Sequence, residues 1–175
     1  MSSVSIVSAG GLYNTPAPIS STTDISGYTS DQIHALTAKQ VSGLTDAQVS
    51  SIATDAIAGL TSRHLQAMGT RGITALTTSQ IQAFSASQLN ALGRTQVGTL
   101  SSGQLNALTS DQFNGLHASQ VSAIGVAQLA AMDTGQLAQL SAQQMQALTT
   151  AQIAGLTSSQ ISSLATDQIG SLKAA

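Results

Sequence analysis

The residue types that could do chemistry are few and dispersed. His34, His64 and His117 are the only histidines, and they occupy three different positions of an eight-residue pattern that governs most of the chain. A metal site needs three or four converging N, O or S ligands, so regular stacking would keep these three apart, and no Cys is present to join them. They read as surface histidines. All seven acidic residues are Asp (Asp24, Asp31, Asp46, Asp55, Asp111, Asp133 and Asp167). Most fall where a helix would begin, at the N-cap or in the first turn, where negative charge suits the helix dipole. That reading outweighs paired catalytic carboxylates. Serines are abundant, but none sits in a G-x-S-x-G elbow, the strained turn that exposes a nucleophile, and no Gly-rich phosphate loop is present. The expectation is no catalytic residue, no metal ligand, no cofactor and no enzyme.

Composition narrows the class further. Charged residues make up 7% and aromatics 2%, against about a quarter charged in ordinary domains. There is no Trp and no Glu. Disordered chains are poor in apolar residues and rich in charge, whereas here 42% of residues are hydrophobic and the net charge is −2. Lys39, Arg63, Arg71, Arg94 and Lys173 are scattered. A nucleic-acid partner requires clustered positive charge to neutralise phosphates, so none is expected. No apolar run approaches the ~18 residues that a membrane span needs. The N-terminal MSSVSIVSAGG has no basic region leading into an apolar stretch, so it is not a standard secretory signal. The absence of Cys is compatible with an extracellular or cell-surface location.

The pattern itself is a tandem octad. Eighteen consecutive units run from 29–36 to 165–172 with no insertion, on the consensus T-x-x-Q-I-x-A-L. The Ile33 and Leu36 positions are apolar in every unit; the Ala35 position is small in all but two, at Thr99 and Gln139; Gln32 recurs except at Ala56, His64 and Gly72. A continuous α-helix would rotate each apolar pair by ~80° per octad, leaving no persistent stripe. A straight strand would send Ile and Leu, three residues apart, to opposite faces. A β-solenoid that bends between them remains the alternative.

A start-and-stop helix fits better. Thr at the N-cap and Gln at N3 form a capping box, and the Leu before the Thr and the Ile after the Gln form a hydrophobic staple. Leu36-Thr37-Ala38-Lys39-Gln40-Val41 and Leu148-Thr149-Thr150-Ala151-Gln152-Ile153 carry all four elements. Thr37, Gln40, Thr149 and Gln152 are thus the capping residues, and each octad should start a new helix of about two turns, ~10 Å long. Such a helix is not stable alone, so stability must come from stacking, as in solenoids. The expected fold is all-α, a narrow superhelix with a core ladder at Ile33, Leu36, Val41, Leu44, Ile153, Leu156, Ile161 and Leu164. The small residue between them should let neighbouring helices approach closely. Octads between Ala53 and Gly72 depart most from consensus, either by drift or as a contact patch.

The chain divides into a non-repetitive arm at 1–28, the eighteen-octad solenoid at 29–172 and a tail at 173–175. Gly10, Gly11, Pro16 and Pro18 break any regular element in the arm, which reads as a flexible leader or as a cap packing on another subunit. No polar capping unit follows the last octad, although solenoids normally carry one. An uncapped end can be covered by the next molecule, and a head-to-tail contact that does not close gives a filament. Val4, Ile6, Val7, Ile169 and Leu172 are the candidate assembly contacts.

The array resembles bacterial proteins with tandem T-A-Q-I-x-A-L octads, and the likeness spans 29–172. It implies a secreted or surface role and supplies no catalytic residues. The L-T-x-x-Q stretch alone is also similar to the start of the TAL-effector repeat and to the LTxxQ motif of Spy/CpxP-type periplasmic chaperones, and a capping box accounts for both without kinship. The functional expectation is a self-assembling subunit of an extracellular filament or surface layer, with itself as partner. A monomeric solenoid for binding or adhesion is the alternative, and ice or carbohydrate contact through a Thr ladder is a weaker third.

Overall fold

The computed structural model describes residues 18–172, and these form an all-helical solenoid; no strand occurs among them. Most octads contribute one helix, from Ser30–His34 to Thr166–Ser171. These helices are shorter than the two turns expected: Ser30–His34 and Ser110–Asn114 have 5 residues each. The Leu closing each octad sets the limit. Its N–H bonds back three residues, as Leu36 does to Ile33 at 3.2 Å, which tightens the last turn. Its backbone then goes extended, as at Leu164 (φ −71°, ψ 137°), and the following N-cap is extended too, as at Thr157 (φ −73°, ψ 159°). Two extended residues in succession make a corner, leaving only six for the helix.

The corners wind the chain into a superhelix around one continuous core. The Ile position points inward and is sealed off: Ile33, Ile57, Leu105, Phe113 and Met145 are all 0% exposed. The Leu position is buried beside it, including Leu36, Leu44, Leu156 and Leu164. Helices three octads apart pack on one another, as Ala118–Val121 does on Ala142–Gln146 and that helix on Thr166–Ser171. Side chains meanwhile reach backbone four octads away, as Gln112 does to Phe84. One superhelical turn therefore closes between three and four octads. The small residue before the Leu makes this closure possible: a Cβ on Gly59 would overlap the Ser30 carbonyl, and one on Gly155 would overlap Val126 Cγ1.

Two regions depart from the rule. The octad at 53–60 forms a 3-10 helix, Thr54–Gly59, and the next two fuse into Ser62–Ala75, kinked at Gly69. At the N-terminal side, the structure carries the array further than 29. Ile25 is fully buried, Tyr28 packs half-buried on the core, and Tyr28 N–H bonds to the Ile25 carbonyl at 3.1 Å, as at the end of a true octad. Residues 21–28, STTDISGY, have apolar side chains at the fifth and eighth places and Gly at the seventh, so they form a degenerate octad. Val4, Ile6 and Val7 lie outside the described residues.

Candidate functional site

The recurrent polar group of the array is the Gln carboxamide, and its two ends do different work. At Gln112, Oε1 accepts the Thr109 N–H at 2.8 Å while the Gln112 N–H bonds to Thr109 Oγ1 at 3.2 Å. That is the capping box. The other end, Nε2, donates into the previous coil, to the carbonyls of Ile81 (3.3 Å), Gln82 (3.0 Å) and Phe84 (2.7 Å). A helix leaves its last carbonyls without intrahelical partners, and a buried carbonyl must be paired. The carboxamide supplies the missing donors, so one side chain closes the start of its own helix and the end of another. Gln152 does the same, accepting from Thr149 N–H at 2.7 Å and donating to Val121 and Ile124 at 3.2 and 2.7 Å. Thr37 and Gln40 form the same capping box, with Thr37 N–H on Gln40 Oε1 at 2.8 Å and Gln40 N–H on Thr37 Oγ1 at 3.2 Å.

The arrangement depends on Gln more than on Thr. Gly93, His117 and Ala165 have no capping side chain, yet their N–H groups still bond to Oε1 of Gln96, Gln120 and Gln168 at 2.9, 2.8 and 2.9 Å. The coil-to-coil half lies beyond what a local pattern reveals, but it leaves a trace in the sequence. A capping box takes Glu as readily as Gln, and no octad uses Glu. A carboxylate has no proton to donate to the carbonyls behind it.

His64 is the main correction to the sequence reading. It is not a surface residue but 3% exposed, and it takes the Gln place with both ring nitrogens. Nδ1 accepts the Thr61 N–H at 3.3 Å and Nε2 donates to the Leu36 carbonyl at 2.7 Å, twenty-eight residues back as Gln112 does to Phe84. His34 and His117 are exposed. Ala56 and Gly72, the other two departures, replace hydrogen bonding by contact. Ala56 is 1% exposed in a stretch pressed against Ser30–His34. At Gly72 a Cβ would lie 2.7 Å from Met68 Cβ. Gly69, in an N-cap slot, has φ 61° and ψ −165°, a conformation open to Gly alone at low cost. Gln96 consequently bonds to Leu65 (2.7 Å) and Gly69 (3.2 Å). On the surface beside the kink, Arg71 Nε meets Asp46 Oδ1 at 2.8 Å.

The aspartates mostly occupy first turns, at Asp31, Asp46, Asp55, Asp111 and Asp167. Asp133 sits at an N-cap but makes no cap bond. Its N–H instead reaches Asn106 Oδ1 in the previous coil at 3.1 Å, and Gln136 Oε1 is left buried without a partner. Asp24 accepts the Ser26 N–H at 2.9 Å, which holds its carboxyl below the usual value. Among the described residues, no three His, Cys, Asp or Glu side chains group as metal ligands, and no helix is long and apolar enough to cross a membrane.

The two ends of the array differ from its interior. Toward the C-terminal side the Ile position opens: Met145 is 0% exposed, Ile153 half-buried, Ile161 49% and Ile169 50%. Ile161, expected in the core ladder, is thus half-exposed, because among the described residues no later coil covers it. The last carboxamide, Gln168, reaches Leu137, Ala138 and Leu140. The helix ends of octads 141–172 therefore receive none among the described residues. Ile169 and Leu172, the candidate assembly contacts, stand on this face. At the other end, Gln48 donates to Ser20 and Thr23 carbonyls at 2.8 and 2.9 Å.

A family model of the ALTTAQ repeat matches at residues 57–94, 65–102, 121–158 and 142–174, together more than half of the chain. No curated protein and no solved structure matches it at a comparable level.

Proposed function

The chain belongs to the ALTTAQ repeat family, and we propose that its octad array is a structural, self-assembling unit that stacks head to tail into a filament or layer outside the cell. The observation that carries this reading is the half-exposed face bearing Ile161 and Ile169. From octad 45–52 to octad 133–140, that same surface is covered by a later coil, with Ile and Leu against the core and carboxamides on the helix ends. Another octad array meets both requirements at once, burying the isoleucines and supplying Nε2 donors to the open carbonyls. Such a contact is heterologous, and one that does not close into a ring propagates. The placement outside the cell rests on the absence of Cys and on the likeness to secreted octad proteins. We assign no catalytic role, since the side chains capable of chemistry are spread over separate octads.

Electron microscopy and light scattering of the full chain across a dilution series test the reading. Concentration-dependent rods longer than one molecule are expected, and I161D/I169D should abolish them while leaving helicity intact. Monodisperse single rods at high concentration, identical in wild type and variant, would overturn it.

A further inference from the structure

We propose that residues 18–20, held by the turn from Ser20 to Thr23, are a built-in competitor for this contact, occupying the place on the first coil that the last coil of a second copy takes; the inference rests on the stacking reading. Gln48 is 6% exposed, and its Nε2 already has partners. One is the Ser20 carbonyl, twenty-eight residues back, the offset used throughout the interior. The second is Thr23, at an offset of 25 in place of the interior 31. The segment therefore presents one carbonyl in register and one out of it. It imitates a helix end with a turn.

That turn is lightly held. Thr23 N–H bonds to the Ser20 carbonyl at 3.0 Å, Ser20 N–H to Thr23 Oγ1 at 3.0 Å, and Ser20 Oγ lies 3.0 Å from Thr22 Oγ1. Ser20, Ser21 and Thr22 are exposed, and only Ile19 leans on the core. A second copy continuing the octad register into residue 21 would set its Ile169 and Leu172 carbonyls on the Gln48 carboxamide, both in the interior offsets. Its Ile161 and Ile169 would be buried, where the turn offers Ile19 alone. Gln32, whose carboxamide makes only the capping bond to Thr29 among the described residues, would gain carbonyl partners from the same copy. Hydrogen bonds are exchanged nearly one for one and apolar burial is gained, so the exchange runs toward assembly once copies are concentrated.

The test uses the full chain. S20A/T23A removes the side-chain bonds of the turn and leaves the octads from 29 to 172 unchanged in sequence. It should lower the concentration at which scattering detects assembly by about tenfold, a difference of ~1.4 kcal/mol, with helicity unchanged. Hydrogen exchange on assembled wild type should show the Thr23 amide losing protection and the amides of residues 161–172 gaining it. Assembly of variant and wild type at equal concentrations, or added protection at Thr23 on assembly, overturns the competitor and leaves stacking intact. Absence of assembly in both chains overturns the two together.

Discussion

Octads 53–76 and octads 77–116 solve the same problem in different ways. Both must close a superhelical turn over helix ends whose carbonyls are buried. In octads 77–116 every unit sends a carboxamide into the previous coil, from Gln80 on Val49 and Ile52 to Gln112 on Ile81 and Phe84. In octads 53–76 only His64 sends a side-chain donor back, through its ring Nε2, and the stretch bearing Ala56 and Gly59 instead lies directly against Ser30–His34. The difference teaches that Gln is needed for its length and its donor end. Where helices approach closely there is no room for it, and where they stand apart nothing shorter spans the distance.

The largest expected effect comes from reversing the donor end. Q112E keeps a good capping-box residue but turns a carboxylate toward the carbonyls of Ile81 and Phe84. It should cost more than about 3 kcal/mol in denaturant unfolding. Q32E, at a position with only the capping bond among the described residues, should stay within about 0.5 kcal/mol, on the scale of ordinary surface substitutions. Equal effects at the two positions would reduce Gln to a cap. Next come substitutions that add side-chain volume to the tight region. A56Q and G72A should each destabilise by about 1–3 kcal/mol, through overpacking against Ser30–His34 and Met68. Unchanged or raised stability would mean that these octads have merely drifted.

A smaller, paired effect separates His64 from a space filler. H64A leaves the Thr61 N–H and Leu36 carbonyl without partners and should cost about 1–3 kcal/mol. H64Q should keep both bonds and stay within about 1 kcal/mol of wild type, so a loss equal to that of H64A would show that the ring shape, not its two nitrogens, matters. The smallest effect lies at the head of the array. Asp24 should titrate below 3.8 in an NMR pH series, because the Ser26 N–H favours its carboxylate. The stabilisation is present above the ordinary value and is lost as pH falls through the depressed one. D24N should remove that dependence; a midpoint at or above 3.8 would deny the hydrogen bond.

Much of the fold is legible in the residues, because its local parts are. Thr109 and Gln112 are three apart, and a three-residue spacing is enough to specify a capping box wherever it falls. The same holds for the apolar pair Ile33 and Leu36. His64 shows the limit: substituting for Gln is visible only when Leu36, in another coil, is seen beside it. Ile161 shows another, since its octad differs little from buried ones and only its place in the stack exposes it. Residues 21–28 were legible in part, with Ile25 and Tyr28 at octad spacing, but without the Thr and Gln that announce an octad.

The sequence by itself determined the period of eight, the capping boxes that start most of the helices, and the apolar pair of each octad. Those features are set by contacts between residues at most eight apart. Tertiary structure alone decided the three-to-four-octad turn, the coil-to-coil use of octad Gln side chains such as Gln112 and the tight approach at Gly59. These depend on which backbone lies twenty-eight residues behind a side chain, and that is fixed by the sum of many corner angles, no one of which is written in a single octad.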